Sequence, residues 1–173
     1  MIDRRSLLAA AASLVAAPAM AAASQILATE DGRQIQVSVW KATGKAKGLI
    51  LFSHGALSAP GKYENLLEPW REAGFDIAAP LHVDSTDHPD RAKYGMADSW
   101  KARLLDMRAL AKAFAGGKPY IAAGHSYGAL VALTLGGVAA ERPAGFDGPM
   151  ADAAVKAVVA FSPPGVTPGL VSA

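Results

Sequence analysis

Residues 120–135 read YIAAGHSYGALVALTL. An apolar run, Tyr120–Ala123, leads into Gly124-His125-Ser126-Tyr127-Gly128, and a small-residue apolar run, Ala129–Leu135, leads out. This is a G-x-S-x-G sequence in strand–turn–helix context. A serine on so tight a turn projects its hydroxyl above the sheet. Glycines two residues to either side let neighbouring backbone come close. The helix that starts directly behind Ser126 aims its free N–H groups at any oxyanion forming there. Ser126 is therefore the candidate nucleophile, against the plainer reading of a serine in a glycine-rich turn.

Outward from the elbow, the chain alternates strand and helix signals. Gly48–Ser53 (GLILFS) and Phe75–Pro80 are continuous apolar runs, as in strands buried on both faces, and Val155–Phe161 is a further strand. Gln25–Thr29 and Gln34–Trp40 flank Glu30-Asp31-Gly32 as a hairpin. Tyr63, Leu66, Leu67 and Trp70 recur at helical spacing with Gly74 as the stop, and Trp100, Leu104, Met107, Ala111 and Phe114 form a second stripe. Trp100 and Met107 in that stripe read as core. The pattern predicts one α/β domain with a mostly parallel sheet, helices on both faces and an N-terminal hairpin.

Composition narrows the function. The 173 residues are 51% hydrophobic and 18% charged, which excludes disorder. No cysteine is present, so disulfides, thiolate metal sites and cysteine nucleophiles are excluded. Beyond residue 23 the chain carries 15 basic and 14 acidic groups, a balance that offers nothing to nucleic acid or to an anionic membrane. Residues 1–23 differ: 17 of them are apolar, and Arg4 and Arg5 precede the run Leu7–Ala17, Pro18 and the small residues through Ala23. That layout predicts an export signal read by the export machinery, similar to the twin-arginine type, with cleavage after Ala21 or Ala23. An eleven-residue run is too short to anchor the chain across a membrane. The expected location is the bacterial periplasm or the medium, with residues 24–173 as the α/β domain.

A second motif, Phe52-Ser53-His54-Gly55-Ala56, follows the buried strand GLILFS. With a His-Gly pair after the third strand and G-x-S-x-G after the fifth, the chain resembles the α/β-hydrolase superfamily over roughly residues 25–165. The stretch FSHGALSAPGKYENLLEPWREAGFDIAAP is similar to the branch of dienelactone-hydrolase-like and platelet-activating-factor-acetylhydrolase-like esterases. Two departures stand out: serine replaces the cysteine of dienelactone hydrolases, and Leu81-His82 stands where that branch often has Asp-His. The resemblance implies an ester hydrolase acting on a small-molecule ester without metal or organic cofactor. It implies that the backbone N–H groups of Ala56 and Tyr127 hold the oxyanion. A non-catalytic binding scaffold of the same fold is the alternative.

The remaining triad members do not fall where the resemblance puts them. The superfamily order is Ser, acid, His, yet His54, His82, His88 and His125 all precede Ser126. Asp147 and Asp152 follow it, but between the elbow helix and the next strand. The acid and histidine are thus expected beyond residue 173, with the fold incomplete at its C-terminus. His54 reads as a structural residue of the oxyanion loop, and the sharp turn aims His125 away from the chemistry. His82 and His88 lie in the loop Leu81–Asp90, which leaves the carboxyl end of a strand, so either is an alternative catalytic base. The five possible ligands of that loop match no compact metal site, and a solvated, polar substrate rim is the expectation for it.

Overall fold

The computed structural model describes residues 22–165. The expected signal segment falls almost wholly outside them. Six strands form one sheet among the described residues: β1 Ala23–Ala28, β2 Gln34–Trp40, β3 Gly48–Ser53, β4 Phe75–Pro80, β5 Tyr120–His125 and β6 Val155–Phe161, in the order β1-β2-β4-β3-β5-β6. β4, β3, β5 and β6 run parallel, while β1 and β2 add an antiparallel pair at one edge. β6 is the other edge.

The hairpin turns as expected, with Gly32 at φ +82°, a left-handed conformation that costs glycine nothing. Its first strand starts at Ala23, opposite Val39, two residues earlier than the alternation indicated. β3 and β4 carry the predicted apolar runs because each is covered on both faces. On one face lie Phe52, Ile50 and Ile77 with Leu67 of α1 (Glu64–Glu72). On the other, Leu51 and Ala78 pack with Trp100, Leu104 and Met107 of α2 (Met96–Leu110) and Leu130 and Val131 of α3 (Tyr127–Leu135). Trp100 and Met107 are core residues, as their spacing implied. α2 starts a full turn before Trp100, where Asp98 accepts from the Gly95 N–H, and ends in a wide turn closed by Gly116 N–H to the Ala111 carbonyl at 3.0 Å.

The parallel register brings the chemistry together. Phe52 pairs with Ala123 and Ser53 with Gly124, so β3 and β5 end side by side. The loop after β4 leaves from the same edge, the end at which open α/β sheets place their sites.

Candidate active site

Ser126 sits at φ +52°, ψ −120°, a conformation that costs a non-glycine residue about 1–3 kcal/mol and persists only where its surroundings impose it. The surroundings are close. A Cβ on Gly128 would lie 1.9 Å from the Ser53 carbonyl oxygen, and one on Gly124 would lie 2.2 Å from the Gly128 carbonyl oxygen. Both elbow glycines are therefore places where backbone passes against backbone. The Ser126 N–H still reaches the Phe161 carbonyl at 2.8 Å, so β6 holds the base of the turn.

Two N–H groups beside Ser126 have no hydrogen-bond acceptor among the described residues. Tyr127 is the first residue of α3, so its N–H has no partner within the helix. The Ala56 N–H lies in the turn Gly55–Ser58, which Ser58 N–H closes onto the Gly55 carbonyl at 3.2 Å, with Leu57 at φ +59°. Ala56, Ser126 and Tyr127 line one cleft of about 510 Å³, whose other walls include Leu57, Tyr94 and Met96. Leu57 and Met96 are 49% and 64% exposed, so the cleft opens between two apolar side chains.

Beneath the cleft lies a buried polar cluster. His82 donates from Nδ1 to Asp106 Oδ2 at 2.7 Å and accepts at Nε2 from the Ser53 hydroxyl at 2.9 Å. Asp106 takes a second charge-assisted bond from Arg33 at 2.8 Å. The His82 N–H donates to His54 Nε2 at 3.1 Å, which leaves the His54 proton on Nδ1, bonded to the Gly55 carbonyl at 2.7 Å. Arg103 pairs through two nitrogens with Asp84, at 2.8 and 2.9 Å. On the opposite side of the loop, the Gly55 N–H donates to the Tyr63 hydroxyl at 3.0 Å, and that hydroxyl meets His125 Nδ1 at 2.9 Å. His125 thus braces the His54–Ala56 loop from the elbow.

This cluster corrects the reading of the loop after β4. His82, Val83 and Ser85 are fully buried and Asp84 is paired, so only its later half, from Thr86 on, is the polar rim expected from composition. His82 has both ring nitrogens occupied inside the protein and cannot reach a substrate. Ser53, His82 and Asp106 form a serine–histidine–aspartate chain, but none is accessible. His54 is the structural residue anticipated. Among the described residues, no histidine is hydrogen-bonded to Ser126, and no three His, Asp or Glu side chains stand together as a metal site. Asp152 is also engaged, accepting from the Tyr120 hydroxyl and capping Ala154.

Burial sets the protonation of the cluster. It holds His54 and His82 neutral well below the usual imidazole range, with the Arg103 charge adding to the effect. It pushes the Asp106 carboxyl up to about 7, against the pull of Arg33. At Asp84 burial also opposes the charge, but the paired Arg103 outweighs it and the carboxyl stays below its ordinary range. Stability should follow these signs. The unfolded chain protonates both histidines below about 6.5 while the folded one does not, so their contribution is lost as pH falls below that value. Asp106 works in reverse: its contribution is whole below about 4 and is lost as pH rises toward 7. Below about 6.5 two bases outweigh one acid, so stability should fall on acidification. Asp106→Asn should steepen that fall, measured by urea unfolding at pH 5 and 6.5, because it removes the one group whose contribution runs the other way.

A strained serine at a strand–helix turn, flanked by a His-Gly loop on a mostly parallel sheet, defines an α/β-hydrolase of the serine-hydrolase type. Within that class the chain belongs to the serine aminopeptidase S33 family, whose model matches residues 44–164. Human monoglyceride lipase is similar to it at 29% identity over 132 residues, covering 70% of this chain and 40% of the lipase. A thermostable carboxyl esterase of Bacillus coagulans superposes with TM-score 0.52 at 20% identity, over 68% of this chain and 39% of the esterase. Esterase 2 of Thermogutta terrifontis, solved phosphonylated by cyclosarin, gives TM-score 0.58 at 16% identity, over 82% of this chain and 56% of the esterase. The structural likenesses show the shared fold. The chain spans about 40% of the length of the lipase. The narrower dienelactone-hydrolase-like resemblance rests on the motif residues alone.

Proposed function

We propose that the protein is a carboxylic ester hydrolase in which Ser126 is the acyl nucleophile. The observation that carries this reading is the strained Ser126 with two acceptorless N–H groups, those of Ala56 and Tyr127, around one cleft. The Ser126 hydroxyl attacks the acyl carbon, the two N–H groups hold the oxyanion, the alcohol leaves, and water releases the acid from the acyl-enzyme. The reaction also needs a base to take the Ser126 proton, and no histidine among the described residues is hydrogen-bonded to that hydroxyl.

An ester substrate fits the cleft better than the free amino terminus of a peptide. An α-ammonium needs a carboxylate in the pocket, and Asp84, the acidic residue among the described lining, is already paired with Arg103. Apolar walls at Leu57, Tyr94 and Met96 suit an uncharged acyl group. The test uses protein made from the complete reading frame. p-Nitrophenyl butyrate should turn over, and leucine p-nitroanilide should not; the opposite preference would refute the ester reading.

The first 23 residues direct export, by the twin-arginine route, to the periplasm or beyond. Cleavage after Ala21 leaves β1 whole from Ala23, whereas cleavage after Ala23 removes a residue paired with Val39. Replacing Arg4 and Arg5 together with lysine should leave the protein uncleaved in the cytoplasm, and unchanged periplasmic delivery on fractionation would rule that route out.

A further inference from the structure

We infer that Arg103 is a positioning residue for the reaction: it sets the Gly55–Ala56 peptide so that the Ala56 N–H faces the cleft. The inference rests on the proposed roles of Ser126 and Ala56 and goes beyond them, since Arg103 touches no substrate.

An arginine has five N–H donors, and all five are used here inside the protein. Nε and Nη2 hold the two Asp84 oxygens; Nη2 also donates to the Gly55 carbonyl at 3.2 Å. Nη1 donates to the His54 carbonyl at 2.6 Å and to the Ser53 hydroxyl at 3.3 Å. The guanidinium carbon stands 4.5 Å from the centre of the Tyr127 ring. One side chain therefore grips the oxyanion loop at three successive residues and lies against the residue that carries the other donor.

The Gly55 carbonyl is the informative partner, because it belongs to the same planar peptide as the Ala56 N–H. In a trans peptide the two point in opposite directions. Three donors fix the carbonyl inward: Arg103, the His54 ring at 2.7 Å and the Ser58 N–H at 3.2 Å. The Ala56 N–H is thereby turned outward, where it has no acceptor among the described residues and where Ser126 lines the same cleft. Bonding to a carbonyl oxygen also polarises its peptide and strengthens the N–H as a donor, an effect that grows along a bonded chain at low dielectric.

A stabilising role alone would not call for this residue. Position 103 lies on the inward face of α2 among Trp100, Leu104 and Met107, where leucine would pack without burying a charge. Lysine, a point charge without the fork, could not serve His54, Gly55 and Asp84 at once.

The experiment compares Arg103→Lys and Arg103→Met with the parent, each made from the complete reading frame and checked for folding by circular dichroism. With p-nitrophenyl butyrate, kcat should fall by about 10²–10³-fold in Arg103→Met and by less in Arg103→Lys, with KM nearly unchanged. Binding of a trifluoromethyl ketone, which places an oxyanion on the serine adduct, should weaken by the same factor. Folded variants with parental kcat and ketone affinity, or with KM alone changed, would overturn the inference. Should both variants fail to fold, the parent decides by NMR: on ketone binding the Ala56 amide proton and the Arg103 guanidinium protons should shift together. A shift at neither, or at Ala56 without Arg103, would count against it. Absence of any Ser126 adduct in the parent would instead refute the nucleophile reading itself.

Discussion

Ser126→Ala, in protein made from the complete reading frame, should lower kcat for p-nitrophenyl butyrate by about 10⁴-fold or more, leaving the rate that an oxyanion hole alone supplies. Among the described residues, neither Ser53 nor Ser99 could substitute. The Ser53 hydroxyl is wholly buried between His82 and Arg103, and Ser99, which also lines the cleft, is buried and donates to the Met96 carbonyl at 2.7 Å. The variant should keep its fold and its stability, because alanine removes a hydroxyl but leaves the strained backbone unchanged and no buried partner unpaired. A Ser126→Ala protein that retained a tenth of the parental turnover would place the nucleophile elsewhere.

Gly128→Ala should be the most damaging single methyl group in the domain. The added Cβ would meet the Ser53 carbonyl oxygen at 1.9 Å, its carbon at 2.4 Å and the His54 carbonyl oxygen at 2.7 Å. All three are backbone atoms of the segment that Arg103 and His82 pin, so none can swing aside. Either α3 lifts from β3 or the Ser53–His54 backbone moves, and each breaks part of the buried cluster. Overpacking commonly costs about 1–3 kcal/mol, and with backbone on the far side we expect about 4, a large share of the 5–15 kcal/mol typical of a domain. Gly61→Ala is the matched control. A Cβ there meets nothing within 4 Å and its φ is ordinary, so its stability should change by less than about 0.5 kcal/mol. Equal midpoints in urea for the two variants would mean that the elbow is looser than its geometry indicates.

The fold was legible because its signals are local. Continuous apolar runs mark β3 and β4, which are covered on both faces, and glycines at 124 and 128 mark a turn where backbone meets backbone. The same locality hid the buried cluster. Ser53, His82, Asp84, Arg103 and Asp106 come from three separate segments, and their bonds span 19 to 50 positions along the chain. The loop after β4 looks solvated because aspartate, serine and histidine usually are, and only the partner arginine 19 residues on makes burial of His82 and Asp84 affordable. One signal did exist. In α2 the stripe Trp100, Leu104, Met107 is interleaved with Arg103 and Asp106 on its inward side, and charges among core positions are rarely there without a partner. His82 could be suspected as a base from its position after a strand, but sequence could not reveal that both its nitrogens face inward.

The most direct measurement of the central claim is the site of covalent capture by a fluorophosphonate. Protein from the complete reading frame is treated with the probe, digested and mapped by mass spectrometry. One adduct per chain is expected, on the peptide containing Gly124-His125-Ser126-Tyr127-Gly128, at Ser126, with labelling abolished in Ser126→Ala. An adduct on another residue, or an esterase-active protein that takes none, would contradict it.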